Sequence, residues 1–71
     1  MIDLQGIPRE RILYVIDEYI VGRNAERDRQ IMRRRLIDGI CFEPLAEEFG
    51  LSVQHVKRIV SRRECEIFAH I

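Results

Sequence analysis

The segment from Phe42 to Ser61 constrains the fold more than any other part of this 71-residue chain. Within it, Gly50 separates two stretches whose apolar residues recur at helical spacing. Glycine accepts the left-handed backbone conformation that a sharp reversal requires, and Ser52 is a favoured residue type for the start of the next helix. Ala46 is small enough to let the second helix cross close to the first. The segment therefore predicts a helix-turn-helix over residues 42–61.

The two predicted helices share an apolar seam and leave a polar face on the second helix. A plain helical hairpin with a glycine turn is the alternative, but small residues and apolar residues in one register favour the helix-turn-helix. The predicted seam consists of Leu45, Phe49, Leu51, Val56 and Ile59. The side chains predicted to point away from it are Gln54, His55, Lys57, Arg58 and Ser61.

Helical spacing of apolar residues also predicts two helices before this motif. We expect the first to run from Arg9 to Val21, with Gly22 as its stop. Asn24 is a typical N-cap residue, so the second is expected from Ala25 to about Asp38. The role of the first helix is open from sequence alone.

The remaining helices complete a small all-α protein. The third helix is expected from Glu43 to Phe49, and the fourth from Val53 almost to the C-terminus, either as one long helix or with a kink near Arg63. The length permits one domain, residues 1–71. The expected fold is a three- to four-helix bundle that contains the helix-turn-helix.

The charges of the chain are balanced overall but unevenly distributed. Twelve Lys and Arg residues face twelve Asp and Glu residues, which counts against a generic polyanion binder. The stretch from Lys57 to Arg63, however, has four basic residues and no acidic one. A phosphate responds to the local potential, so a basic surface can exist on a neutral protein.

The sequence shows no pattern typical of an enzyme, a metal site or a membrane protein. Glu47 and Glu48 lie next to each other without a nearby nucleophile or histidine, so we expect them to be solvated. The cysteines and histidines lack metal-ligand spacing, and no cofactor is expected. The N-terminus does not resemble a signal peptide, and no apolar run is long enough to span a membrane. We therefore expect a cytoplasmic protein with reduced thiols.

These features predict a protein that binds double-stranded DNA with its fourth helix in the major groove. Gln54 would pair with adenine, and either Lys57 or Arg58 with guanine. Arg62 would contact phosphates, together with whichever of those two does not contact a base. The hydroxyl of Ser52 and the helix N-terminus would meet a phosphate. The candidate DNA-binding residues are Ser52, Gln54, His55, Lys57, Arg58, Ser61 and Arg62.

The last two-thirds of the chain, Arg27 to Phe68, resemble a known family, the region 4 helix-turn-helix domain of bacterial sigma factors. The resemblance implies that Gln54, Lys57 and Arg58 face a promoter groove and that the domain touches RNA polymerase. The chain lacks the sigma region that opens promoter DNA, so the resemblance implies a small stand-alone bacterial or phage protein that regulates transcription. Cys41 and Pro44 depart from the family pattern. The matching segments are Arg33–Gly39, Phe42–Ser52, Val53 with Val56 and Lys57, and Ser61 with Arg62.

Two alternatives stay open at this point. The same fold could dock on RNA polymerase or another regulator without reading DNA, which the zero net charge favours. Phe68 and Ile71 could pack against the first helix or form a homodimer contact that Tyr14 and Val21 join.

Overall fold

A computed structural model describes residues 6–71, and these residues form four α-helices without a strand. The predicted all-α class and helical bundle are confirmed. The expectation that no signal peptide begins the chain concerns residues 1–5, which lie outside the described residues. The helices are α1 (Arg9–Tyr19), α2 (Ala25–Leu36), α3 (Phe42–Phe49) and α4 (Val53–Phe68).

The core lies between α4 and the other three helices, all of which α4 contacts. α1 contributes Ile12, Val15 and Ile16 to this core. Ile20, the residue directly after α1, is also buried in it. The first helix, whose role the sequence leaves open, is therefore an integral part of the bundle. The buried apolar residues are Ile12, Val15, Ile16, Ile20, Ile31, Met32, Leu45, Ala46, Val56, Ile59, Val60 and Ile67.

The first connection differs from the sequence prediction. α1 ends at Tyr19, two residues before the expected Val21, because Ile20 takes an extended conformation that places it fully inside the core. Tyr19 has the helical spacing of the buried stripe, but it is partly exposed and its ring stacks on His70 with centroids 3.7 Å apart. Asn24 lies at the N-cap position of α2, but its side chain makes no capping hydrogen bond, since its backbone is left-handed with φ of 62°.

The other helix boundaries lie close to those predicted. α2 ends at Leu36, shortly before the expected Asp38, and α3 begins at Phe42, one residue before the expected Glu43. α4 continues to Phe68 without interruption, so Arg63 lies within one helix. No helix within residues 6–71 is long and apolar enough to cross a membrane.

The turn between α3 and α4 forms as the sequence predicts. Gly50 is left-handed, with φ of 65°. The N–H of Leu51 donates to the carbonyl oxygen of Ala46 at 2.9 Å, and the N–H of Gly50 to that of Glu47 at 3.4 Å. This pair of bonds is a Schellman ending, which satisfies carbonyls that the end of a helix leaves free. Ser52 then caps α4, its Oγ accepting from the backbone N–H of His55 at 3.1 Å.

Candidate nucleic-acid interface

The outward side of α4 is a polar stripe directly opposite its buried side. The buried residues of the helix include Val56, Val60 and Ile67. At about 100° per residue, Gln54, Arg58 and Ser61 fall within an arc of about 60° on the other side. All seven predicted site residues are exposed: Ser52, Gln54, His55, Lys57, Arg58, Ser61 and Arg62.

Lys57 lies on one flank of the stripe, against the start of α3. Its Nζ is 5.8 Å from the centre of the Phe42 ring, and the guanidinium carbon of Arg35 is 4.4 Å from the same ring. Both are within the range of a cation–π interaction. The ring therefore holds two cations, one from α2 and one from α4, at the same edge of the protein.

A shallow depression adjoins this flank, between the first turns of α3 and α4. Its apolar part comes from Phe42, Pro44 and Val53. Glu43 and Lys57 add one charge of each sign, so the depression is neutral. Cys41 completes its lining and is exposed.

Arg62 lies on the other flank, where Asp28 of α2 partly holds it. Its Nη2 donates to Oδ2 of Asp28 at 3.4 Å, while 63% of the side chain stays exposed. Helical spacing places His55 on the same flank. The stripe therefore has a cation on each side, and each cation is oriented by a group on a different helix.

Arg63, the last residue of the basic run, does not belong to this surface. It is buried, and its Nε donates to the fully buried carboxylate of Asp28 at 2.8 Å. Its Nη1 also donates to Glu66 at 2.8 Å and to the carbonyl oxygen of Val21 at 3.3 Å. The four bases counted in the sequence therefore give three exposed cations, because the fourth is neutralised inside the bundle.

The environment of Arg63 keeps it charged. Burial by itself lowers the pKa of Arg63, but the hydrogen bonds to Glu66 and Asp28 outweigh it, so the pKa is raised above its ordinary value. Asp28 also accepts from Nε of Arg27 at 3.1 Å. The buried carboxylate is thus surrounded by three guanidinium groups, which ties α4 to α2.

Sequence reasoning missed this buried pair, although a signal was present. Asp28 follows Ala25 by three residues and precedes Met32 by four, which is the buried register of α2. Arg63 stands in the same way between Val60 and Ile67 on the buried stripe of α4. Opposite charges at core positions of two helices predict a buried ion pair.

Most of the other arginines in α2 and α4 have carboxylate partners. Arg33 pairs with Asp17 of α1, and Arg34 pairs with Glu48 of α3 at 2.9 Å. Arg34 is exposed, and Glu48, which was expected to be only solvated, is ion-paired with it. Within residues 6–71, the cations of α2 and α4 without a carboxylate partner are Arg35, Lys57 and Arg58.

The residues that the sequence analysis considered as metal ligands or as dimer contacts do not form one site. Cys41 and Cys65 are both exposed free thiols. In the described part of the chain, no three His, Cys, Asp or Glu side chains gather as a metal site would need. Phe68 is half-buried and Ile71 is 38% exposed, so the packing of this end leaves some apolar surface in solvent.

Comparisons with protein families, curated proteins and solved structures find no match to this chain. The resemblance to sigma factor region 4 therefore stays a prediction from the residues that carry it. The geometry of α4 and its neighbours bears on function independently of any relative.

Proposed function

We propose that this protein binds double-stranded DNA with α4 in the major groove, as a small transcription-associated protein of the sigma region 4 type. The observation that carries the proposal is the arrangement of the outward face of α4. Gln54 and Arg58 lie at its centre, with Lys57 and Arg62 on opposite flanks.

This arrangement suits the shape of a duplex. The major groove is about 12 Å wide and accepts one α-helix, whose outer face meets base edges. A sugar-phosphate strand borders the groove on each side, so a helix lying in it benefits from a cation on each flank. Lys57 and Arg62 supply these cations, and Arg35 extends the first flank beyond Phe42.

The start of α4 adds groups that suit a phosphate. The first turn of a helix carries free N–H groups and a partial positive charge. Ser52 accepts the N–H of His55, which leaves its own hydroxyl hydrogen available to donate to a phosphate oxygen. Gln54 follows directly and is exposed.

The small number of cations implies modest affinity. About three phosphate contacts supply only a small part of the electrostatic attraction that larger DNA-binding proteins use. We therefore expect the protein to act with a partner, either RNA polymerase or a second copy of the chain. In the latter case Phe68 and Ile71 are the proposed contact residues, since Ile71 is 38% exposed.

One feature favours a second function, docking on a protein without contact to DNA. The depression that Phe42, Pro44 and Val53 help to line is partly apolar and carries no net charge. Such a surface suits a protein partner better than a phosphate backbone. If this alternative is right, the protein should be retained on immobilised RNA polymerase and should bind no DNA duplex.

The first experiment is a gel-shift assay at low salt with a mixed-sequence duplex pool. The wild type is compared with Arg58→Ala and with Arg34→Ala, a matched control because Arg34 already pairs with Glu48. We expect Arg58→Ala to weaken binding and Arg34→Ala to leave it nearly unchanged. Equal affinities for the wild type and Arg58→Ala would contradict the proposed role of α4.

A further inference from the structure

We propose that Gln54 and Arg58 determine sequence preference, Gln54 at an adenine·thymine pair and Arg58 at a guanine·cytosine pair within two base-pair steps of it. This inference rests on the proposed function and adds which bases are read and by which residues. From sequence alone, Lys57 and Arg58 are equal candidates for the guanine contact. The structure separates them.

Arg58 is free to reach a base edge, whereas Lys57 is directed elsewhere. Arg58 lies almost opposite the buried side of α4, and within residues 6–71 its side chain makes no hydrogen bond or ion pair. Around the axis of α4, Lys57 lies about 60° from Gln54 and about 100° from Arg58. Its side chain is next to the Phe42 ring. A side chain on the flank meets the phosphate strand first, so Lys57 contributes affinity without sequence preference.

Gln54 and Arg58 also have the right spacing for neighbouring base pairs. Four residues of α-helix advance about 6 Å, and the duplex advances about 3.4 Å per base pair. The two side chains therefore reach bases that are one or two steps apart. Ser61 lies about 10 Å from Gln54 along the helix and has a short side chain, so we assign it no base.

The chemistry of the two side chains identifies the bases. In the major groove adenine presents N7 as an acceptor and N6 as a donor, which the carboxamide of Gln54 matches with two hydrogen bonds. Guanine presents two acceptors, N7 and O6, which the guanidinium of Arg58 matches in the same way. Neither side chain satisfies the wrong base as fully.

The test is selection of bound duplexes from a random-sequence pool, followed by affinity measurement on the selected site. We expect an enriched site containing an A·T pair and a G·C pair within two steps. Gln54→Ala should lose the preference at the A·T pair only, and Arg58→Ala should lose the preference at the G·C pair only. The wild type should bind the selected site roughly 10-fold more tightly than a site altered at one of these pairs. Each variant should lose this difference at the pair that its missing side chain reads.

Controls separate failure of this inference from failure of the proposed function. Lys57→Ala should weaken binding to every sequence and keep the same site. Arg58→Lys should keep a guanine preference, since lysine also pairs with guanine. If the wild type binds duplexes but Gln54→Ala and Arg58→Ala select the wild-type site, the assignment of bases is wrong. If the wild type retains no duplex at low salt, the proposed function is wrong.

Discussion

The Nε atom of Arg63 in α4 lies 2.8 Å from the Oδ2 atom of Asp28 in α2, and both side chains are buried. This pair joins α4 to α2 on the side of α4 that lies opposite Gln54 and Arg58. It adds to the apolar contacts that keep this side of α4 buried and leave Gln54 and Arg58 exposed to solvent.

The first prediction concerns the loss of the buried carboxylate. Asp28→Asn keeps the shape of the side chain but leaves Arg63 buried with Glu66 as its remaining acidic partner. We expect the free energy of unfolding to fall by about 1.5–3 kcal/mol, because Arg63 keeps Glu66 but loses its charge-assisted hydrogen bond to the buried carboxylate. Urea unfolding followed by circular dichroism measures this change.

Two further variants show whether the loss comes from the buried pair. Arg62→Gln removes the exposed partner of Asp28 and should cost less than about 1 kcal/mol. The double variant Asp28→Leu with Arg63→Met should be more stable than Asp28→Asn, since apolar residues of similar size often replace a buried pair without loss. A double variant less stable than Asp28→Asn would contradict this account of the pair.

The second prediction concerns α1. Ile16 is fully buried against the other helices, so Ile16→Ala should lower the free energy of unfolding by about 2–5 kcal/mol. Glu18→Ala, an exposed position on the same helix, should change it by less than about 0.5 kcal/mol. Thermal unfolding distinguishes this result from that of an appended helix, for which both variants would be neutral.

The third prediction concerns the turn that joins α3 to α4. Gly50 has φ of 65°, and apart from Gly50 and its two chain neighbours no heavy atom lies within 4 Å of the position that an added Cβ would take. Gly50→Ala should therefore lower the free energy of unfolding by about 1 kcal/mol, because alanine is strained in this backbone conformation. Gly50→Asn should cost less, because asparagine tolerates this conformation better. Equal stability of the wild type and Gly50→Ala would argue against a left-handed residue here.

The fourth prediction concerns the start of α4. Ser52→Ala removes the acceptor of the His55 N–H and should lower the free energy of unfolding by about 1 kcal/mol. Ser61→Ala makes the same chemical change in the middle of the helix and should be neutral or slightly stabilising, because alanine favours helix. Chemical denaturation of both variants checks the contrast; similar effects at both positions would contradict the capping role.

Local signals predicted α3, α4 and their turn because the residues that form this turn are close in sequence. Gly50 and Ser52 have their expected conformations, and the exposed side of α4 follows from helical spacing alone. The end of α1 was less predictable, since Ile20 leaves the helix to fill a space in the core that only the packed helices create.

Contacts between distant residues account for the features that the sequence prediction lacked. Asp28 and Arg63 are 35 positions apart, and their pairing depends on how α2 packs against α4. Helical spacing places Lys57 on the flank of the outward stripe, but its contact with the Phe42 ring, which Arg35 shares, depends on how the helices pack. Neither relationship follows from the spacing of residues within one helix.

The salt dependence of duplex binding tests the central claim most directly. If Arg35, Lys57 and Arg62 each contact one phosphate, a plot of log affinity against log salt concentration should fall with a slope of about −3. Lys57→Gln should reduce the magnitude of this slope by about one, and Arg34→Gln should leave it unchanged. An absence of binding at low salt, or a slope unaffected by Lys57→Gln, would contradict a DNA-binding surface on α4.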